Sequence, residues 1–217
     1  MSSADQSGTE RSDARPVRSG RVRWWRFAAV AVPSLAVIGA ILGLTAGGAL
    51  ASSFSISGQQ FQVSADSLSG TGFQQVGTVD RKANGRPVAV VESQIGSAKI
   101  TNLCQSVVAA FPFGLGTYTL RITAGGKGTP VSASGLVIDA NQLSGSTATF
   151  HSINIGQDAS TLNDVPGAPG GAAGTFGQQS TSIDISDLHQ TAYSTSAGTF
   201  TLPGFSLNLS AGSHTCF

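Results

Sequence analysis

Three histidines, His151, His189 and His214, are the residues able to serve as a general base. Ester hydrolysis would need one of them beside a nucleophile and an orienting carboxylate. Asp187 stands two residues before His189, a spacing that puts both on one face of a strand. No serine is tied to that pair, no Gly-x-Ser-x-Gly elbow occurs, and the βα alternation that carries such an elbow is absent. No catalytic residue is therefore assigned. Asp184 and Asp187 are too sparse for a calcium loop, and no histidine pair has zinc spacing, so neither a metal site nor a cofactor is expected. Gly125-Gly126-Lys127-Gly128 would cradle phosphate only if a helix followed. Thr129-Pro130-Val131 opens another strand instead, so the glycines read as a hairpin turn, as does Asn84-Gly85.

The two cysteines, Cys104 and Cys216, form an even count downstream of an export segment, which reads as one disulfide made in an oxidising compartment. Closing a loop of about a hundred residues stabilises by roughly 4–5 kcal/mol in the chain-entropy picture. Two separate buried thiols are the alternative. Asn208-Leu209-Ser210 matches a glycosylation sequon.

Those residues sit among segments that alternate with period two. Phe54 and Ile56; Phe61, Val63 and Ala65; Tyr118, Leu120, Ile122 and Ala124; Phe150, Ile153 and Ile155; Ile183 and Ile185; Phe200 and Leu202; and Phe205, Leu207 and Leu209 each predict a strand. Val88 to Val91 and Leu136 to Ile138 are continuous apolar runs, the pattern of strands buried on both faces. Residues 158–180, with Pro166, Pro169 and a Gly/Ala run, read as a long flexible loop. Ala65-Asp66-Ser67-Leu68-Ser69-Gly70 and Ala140-Asn141-Gln142-Leu143-Ser144-Gly145 resemble each other and read as a repeated strand-end turn. The fold class is mainly β: an antiparallel β-sandwich or curved-sheet domain over residues 52–217. Val107-Val108-Ala109-Ala110-Phe111-Pro112-Phe113-Gly114-Leu115 is its most apolar stretch. Val107, Val108, Phe111, Phe113 and Leu115 are core, or else contact an apolar ligand or a membrane.

Ahead of that domain, Arg21, Arg23 and Arg26 flank Trp24 and Trp25 and lead into an uncharged apolar run, residues 27–51. Such a run is long enough, as a helix, for a hydrocarbon core of about 30 Å. A single-pass transmembrane helix and a signal segment cleaved after Ala49-Leu50-Ala51 are the two readings. The arginines before the run place residues 1–20, a disordered polar tail, in the cytoplasm and the β-domain outside it. Gly39, Gly43 and Gly47 are spaced for helix pairing. The net charge of +1 divides into +3 over residues 1–26 and −2 over the remainder, where no cationic cluster exists. Nucleic acid is therefore not an expected partner.

The stretches Trp25-Arg26-Phe27-Ala28, Ala51 to Gly58 (ASSFSISG), Cys104-Gln105-Ser106-Val107, Ala148-Thr149-Phe150, Gln190-Thr191-Ala192, Ala197-Gly198-Thr199-Phe200 and the final Cys216 carry a resemblance. The chain resembles an actinobacterial family of exported proteins, domain of unknown function six-two-three-zero, some of whose members bear the label "cholesterol esterase". The resemblance implies an exported, membrane-associated β-rich protein accompanied by small multi-pass membrane proteins, and it supplies no catalytic residues. The expectation is a non-enzymatic cell-envelope protein that binds lipid, another apolar molecule or a membrane partner. An esterase acting on sterol or acyl esters is the rival, and a structural surface protein the third reading.

Overall fold

The computed structural model describes residues 58–111 and 116–217, without the side chain of Phe111, all within the unit Phe54–Phe217. The described part is one antiparallel sheet of ten strands: β1 (Phe61–Arg81), β2 (Pro87–Thr101), β3 (Leu103–Phe111), β4 (Gly116–Ala124), β5 (Val131–Ser144), β6 (Thr147–His151), β7 (Asn154–Asp158), β8 (Phe176–Ser196), β9 (Thr199–Thr201) and β10 (Ser206–Ala211). A single 3₁₀ turn, Ala159–Thr161, is the helical element among the described residues. The sheet is thus curved and single, and the two facing sheets of a sandwich are not what forms.

Register reveals two long ribbons. Ser67 pairs with Thr101 and Ser64 with Cys104, in one unbroken register, so β2 and β3 are successive parts of one arm lying along β1. In the same way β5, β6 and β7 follow one another along β8. Asn84-Gly85 closes the first ribbon as the sequence predicts. Gly85 takes φ +79°, and its N–H donates to the Lys82 carbonyl at 2.8 Å. The ribbons then pair with each other along both edges, β1 with β8 and β2 with β5. Strands β1, β2, β5 and β8 therefore form a closed circuit, which removes the unpaired edges of an open sheet.

Inside the circuit lies the apolar core. Phe73, Leu136 and Ile183 are fully buried, and the Phe73 and Phe150 rings meet at 5.6 Å. Burying each such side chain stabilises by about 1.5–3 kcal/mol. The inward-facing positions do not keep one parity. They run Ala65, Leu68, Gly70, Phe73 on β1; Ile95, Ala98, Ile100, Leu103 on β2–β3; Ala133, Leu136, Ile138, Ala140 on β5; Ile185, Leu188 on β8. Each step of three marks a face switch, and the switches line up across strands in two rows. One row passes through Gly72 (φ +65°), Gly96, Gly135 (φ +55°) and Ser152 (φ +53°). The other passes through Asp66, Asn102 (φ +54°), Gly125 (φ +73°) and Asp187 (φ +48°). A left-handed residue reverses the pleat, and glycine, Asn and Asp tolerate that conformation best. Along the second row the Asn102 amide donates to the Asp66 carboxylate at 3.2 Å, and the Asn102 N–H donates to the Gly125 carbonyl at 3.2 Å.

Four expectations change. Gly125–Gly128 is not a hairpin turn: β4 pairs with β3 and β10, β5 pairs with β2, and the glycines carry the chain from one ribbon to the other. The 158–180 segment is shorter as a loop, because β7 runs to Asp158 and β8 begins at Phe176. Its side chains also contribute to packing, with Val76, Ala159 and Leu162 forming a small second core. Val88–Val91 is not buried on both faces; Val90 is buried while Ala89 and Val91 are exposed. The Ala65–Gly70 and Ala140–Gly145 likeness is not a strand-end turn. Asp66 and Asn141 each sit at a face switch, with Asn141 at the bulge between Ala140 and Gln142.

Candidate functional site

The β2–β5 seam ends at Val91 and Ala140, while β1 stays paired with β8 as far as Val76 and Gly177. Between those two seams a cavity of about 290 Å³ opens inside the circuit. Its walls are apolar: Leu68 and Phe73 from β1, Ile95 from β2, Ile138 and Ala140 from β5, and Ile183, Ile185 and Leu188 from β8. Val91 and Leu143, each 40 % exposed, also line it. A handful of amides and one hydroxyl (Gln75, Ser93, Asn141, Gln142 and Gln190) supply the polar positions. Apolar walls with few polar groups are the usual make-up of a small-molecule pocket.

Two rows of amides brace this region. On the inner face the Gln75 amide donates to Ser93 Oγ at 2.7 Å and accepts from the Gln178 amide at 2.6 Å. On the outer face Gln74 donates to Gln94, Gln94 donates to Glu92, and both glutamine amides reach the Pro169 carbonyl at 3.2 Å. Gln179 accepts from the N–H groups of Asn163 and Asp164 at 2.7 and 3.1 Å. The 162–175 segment is thus held against β1, β2 and β8, which composition alone did not indicate.

Outside the cavity, β5 carries a buried carboxylate. Asp139 accepts a hydrogen bond from Ser194 Oγ at 2.5 Å, and its Oδ1 has no partner. Burial pushes its carboxyl above the ordinary value, with the Ser194 hydroxyl acting the other way. Asp80 is pushed up by burial first, then by the negative charges of Asp139 and Glu92.

Among the described residues no hydrogen bond joins a histidine ring to a serine. His189 stacks edge-on against Phe217 at 4.6 Å, His214 Nε2 lies 3.0 Å from the Ala211 carbonyl, and no hydrogen bond or ion pair joins His189 to Asp187. His151 instead meets Asp184 at 3.7 Å, 60 and 51 % exposed. Ser182 is directly opposite His151 in the register, and Ser182 and Asp184 line a separate groove of about 400 Å³ with Thr71, Ser97, Lys99 and Ser132, which shares no residue with the cavity. Among the described residues no group of three or more His, Cys, Asp and Glu side chains is placed to hold a metal ion.

Cys104 and Cys216 form a disulfide with Cα atoms 5.9 Å apart. It fastens the C-terminal tail across one face of β3 and β4, helped by the Cys216 N–H donating to Ser106 Oγ at 3.0 Å and the His214 N–H donating to Thr119 Oγ1 at 2.9 Å. Val107 and Val108 lie on β3, half-buried and on opposite faces, away from the cavity. The Phe111 side chain, Phe113, Leu115, and the pairing glycines Gly39, Gly43 and Gly47 lie outside the described residues. Among the described residues no helix is long and apolar enough to cross a membrane, and residues 27–51 were not among them.

The model of a family of unknown function, DUF6230, matches residues 57–217. The chain belongs to that family. No curated protein and no solved structure matches it. The family match covers every cavity-lining residue and both cysteines, and leaves residues 27–51 outside it. The family's description carries no activity, so the "cholesterol esterase" label brings no residue role to this chain.

Proposed function

We propose that the chain is a membrane-tethered cell-envelope protein whose β-domain, held outside the cytoplasm, binds a small apolar molecule without transforming it. The observation that carries this reading is the 290 Å³ apolar cavity opening between the two ribbons. At about 30 Å³ for a water-sized group, it holds on the order of ten methylene-sized groups. That suits one short acyl chain or a small ring system and falls well short of a steryl ester. The amides at Gln75, Asn141, Gln142 and Gln190 would orient a polar headgroup at the mouth. The tether is the uncharged run 27–51, and the arginine excess before it sets the orientation.

Native mass spectrometry of the full chain purified from membranes tests the ligand. A stoichiometric small lipid is expected, and it should be lost from Ala140→Phe, which fills the cavity. A parent protein that carries nothing and takes up no fatty acid when offered would sink the reading. Turnover of a chromogenic ester that disappears in His151→Ala would replace it with the esterase.

A further inference from the structure

The core-facing side of the sheet does not end where the closed circuit ends. Strands β3, β4 and β10 continue past it, and β3 touches β1 only from Gln62 to Ser64. On these strands the register puts Leu209 beside Leu120 and Val107, and Leu207 beside Ile122. Direct cross-strand partners share a face. Leu207 and Leu209 are 54 and 55 % exposed, and no charged side chain stands among the nine positions of this face from Gln105 to Ala109, Tyr118 to Ile122 and Leu207 to Ala211. The opposite face is polar and is covered by the disulfide-held tail, through Ser106, Thr119 and Cys104.

The chain itself indicates what covers the apolar face. The uncharged run 27–51 ends seven residues before Gly58, so at most about 25 Å of extended chain separates Ala51 from the described domain. The lead-in to β1 is fastened to β3, because the Gln59 amide donates to the Val108 carbonyl at 2.8 Å. The described chain thus begins between the three-stranded extension and the ribbon turn, since a Cβ at Gly58 would sit 3.0 Å from the Lys82 side chain while Gln59 is bonded to β3. An uncharged apolar surface held that close to a bilayer gains by lying at the boundary of headgroups and acyl chains, about 5–10 Å deep. Among the described residues the outer edge of β10 has no strand partner, and its backbone groups need water or headgroup partners, which excludes a deeper position.

Resting on the tether reading above, we propose that the apolar face of β3, β4 and β10 lies on the lipid surface of the membrane that residues 27–51 cross, with Leu207 and Leu209 among the acyl chains.

Tryptophan quenching in the full chain tests this. Trp24 and Trp25 are the only tryptophans, so Trp24→Phe/Trp25→Phe gives a silent background for Leu209→Trp or Asn208→Trp, neighbours on opposite faces of β10. In phosphatidylcholine vesicles carrying brominated acyl chains, Leu209→Trp should lose about half its emission or more while Asn208→Trp keeps nearly all of it. Flotation with the vesicles is read first, and a chain that does not float overturns the tether itself. A floating chain in which Leu209→Trp is quenched by aqueous iodide overturns the docking and leaves the tether standing. So does one quenched by neither agent, which would place protein over the face, from a second copy or from this chain. Leu207→Trp is read by the same rules should Leu209→Trp fail to form the Cys104–Cys216 bridge.

Discussion

Asp139 is a costly side chain at neutral pH, because its carboxylate is buried with one oxygen unpartnered. Its carboxyl and that of Asp80 titrate above 3.8, the ordinary value, for which burial is the first cause in both. A raised carboxyl means that the folded state binds more protons than the unfolded one between 3.8 and the folded value. Stability is then greatest below that window and falls as pH rises through it. Asp158 works in the opposite sense. The Ser160 hydroxyl first, then the N–H groups of Ser160 and Gly174, hold its carboxyl low, so its contribution is present above 3.8 and is lost only as pH falls further. Urea midpoints should therefore rise on acidification from pH 7 towards 4, and Asp139→Asn should lose part of that rise while matching or exceeding the parent at pH 7. A parent whose midpoint falls over that range would contradict this. At Cys216 the expectation is a loss. Cys216→Ser frees the tail and the 112-residue separation it closes, at a cost of about 4–5 kcal/mol in chemical denaturation.

The elements explain why the sequence was readable only in part. Alternation placed β1, β4 and β8 correctly because each is half-buried over several residues in one parity, and it placed β10 although Leu207 and Leu209 are exposed. What alternation could not supply was the change of parity, since Ala65–Leu68, Ile100–Leu103, Ile185–Leu188 and Ala140–Leu143 are steps of three, neither strand nor helix in period. The signal was present in the likeness between Ala65–Gly70 and Ala140–Gly145: an apolar residue, then Asp or Asn, then Leu at the fourth place. The cavity lay hidden for the same reason, as its lining comes from both parities of four strands. The Gly125–Gly128 hairpin failed because turn chemistry reports a reversal and not which strand receives the chain. Two glycines separate the face switch from an ordinary turn. Gly72 and Gly85 both have left-handed φ, but a Cβ at Gly72 would sit 2.6 Å from the Asp164 carbonyl oxygen, while nothing lies within 4 Å at Gly85. Gly85→Ala should cost about 1 kcal/mol and Gly72→Ala about 2–4 kcal/mol. Equal thermal midpoints for the two would show that Gly72 is not a pivot of the sheet.

At the scale of the whole molecule, neither ribbon can bury its inner face alone. β1 and β2 supply core positions around Phe73, Ile95 and Ile100, and β5 and β8 supply the facing ones around Leu136, Ile138 and Ile183. An isolated two-stranded ribbon is marginal in water however long it is, so the closed circuit should form in one cooperative step. Because three of its four pairings join distant parts of the chain, that step should be slow for the domain's size. The disulfide has a consequence here as well. Cys104 lies on the first ribbon and Cys216 follows the second, so the bond links the two halves independently of the 125–130 connection. Cutting that connection gives fragments 58–128 and 129–217. Each alone should lack near-ultraviolet circular dichroism and amide dispersion, whereas the two mixed under oxidising conditions should recover both and form the Cys104–Cys216 bond. A cooperative unfolding transition in either fragment by itself would mean that the circuit is an association of two stable ribbons. The cavity between them would then be a separable interface and not the interior of one folding unit.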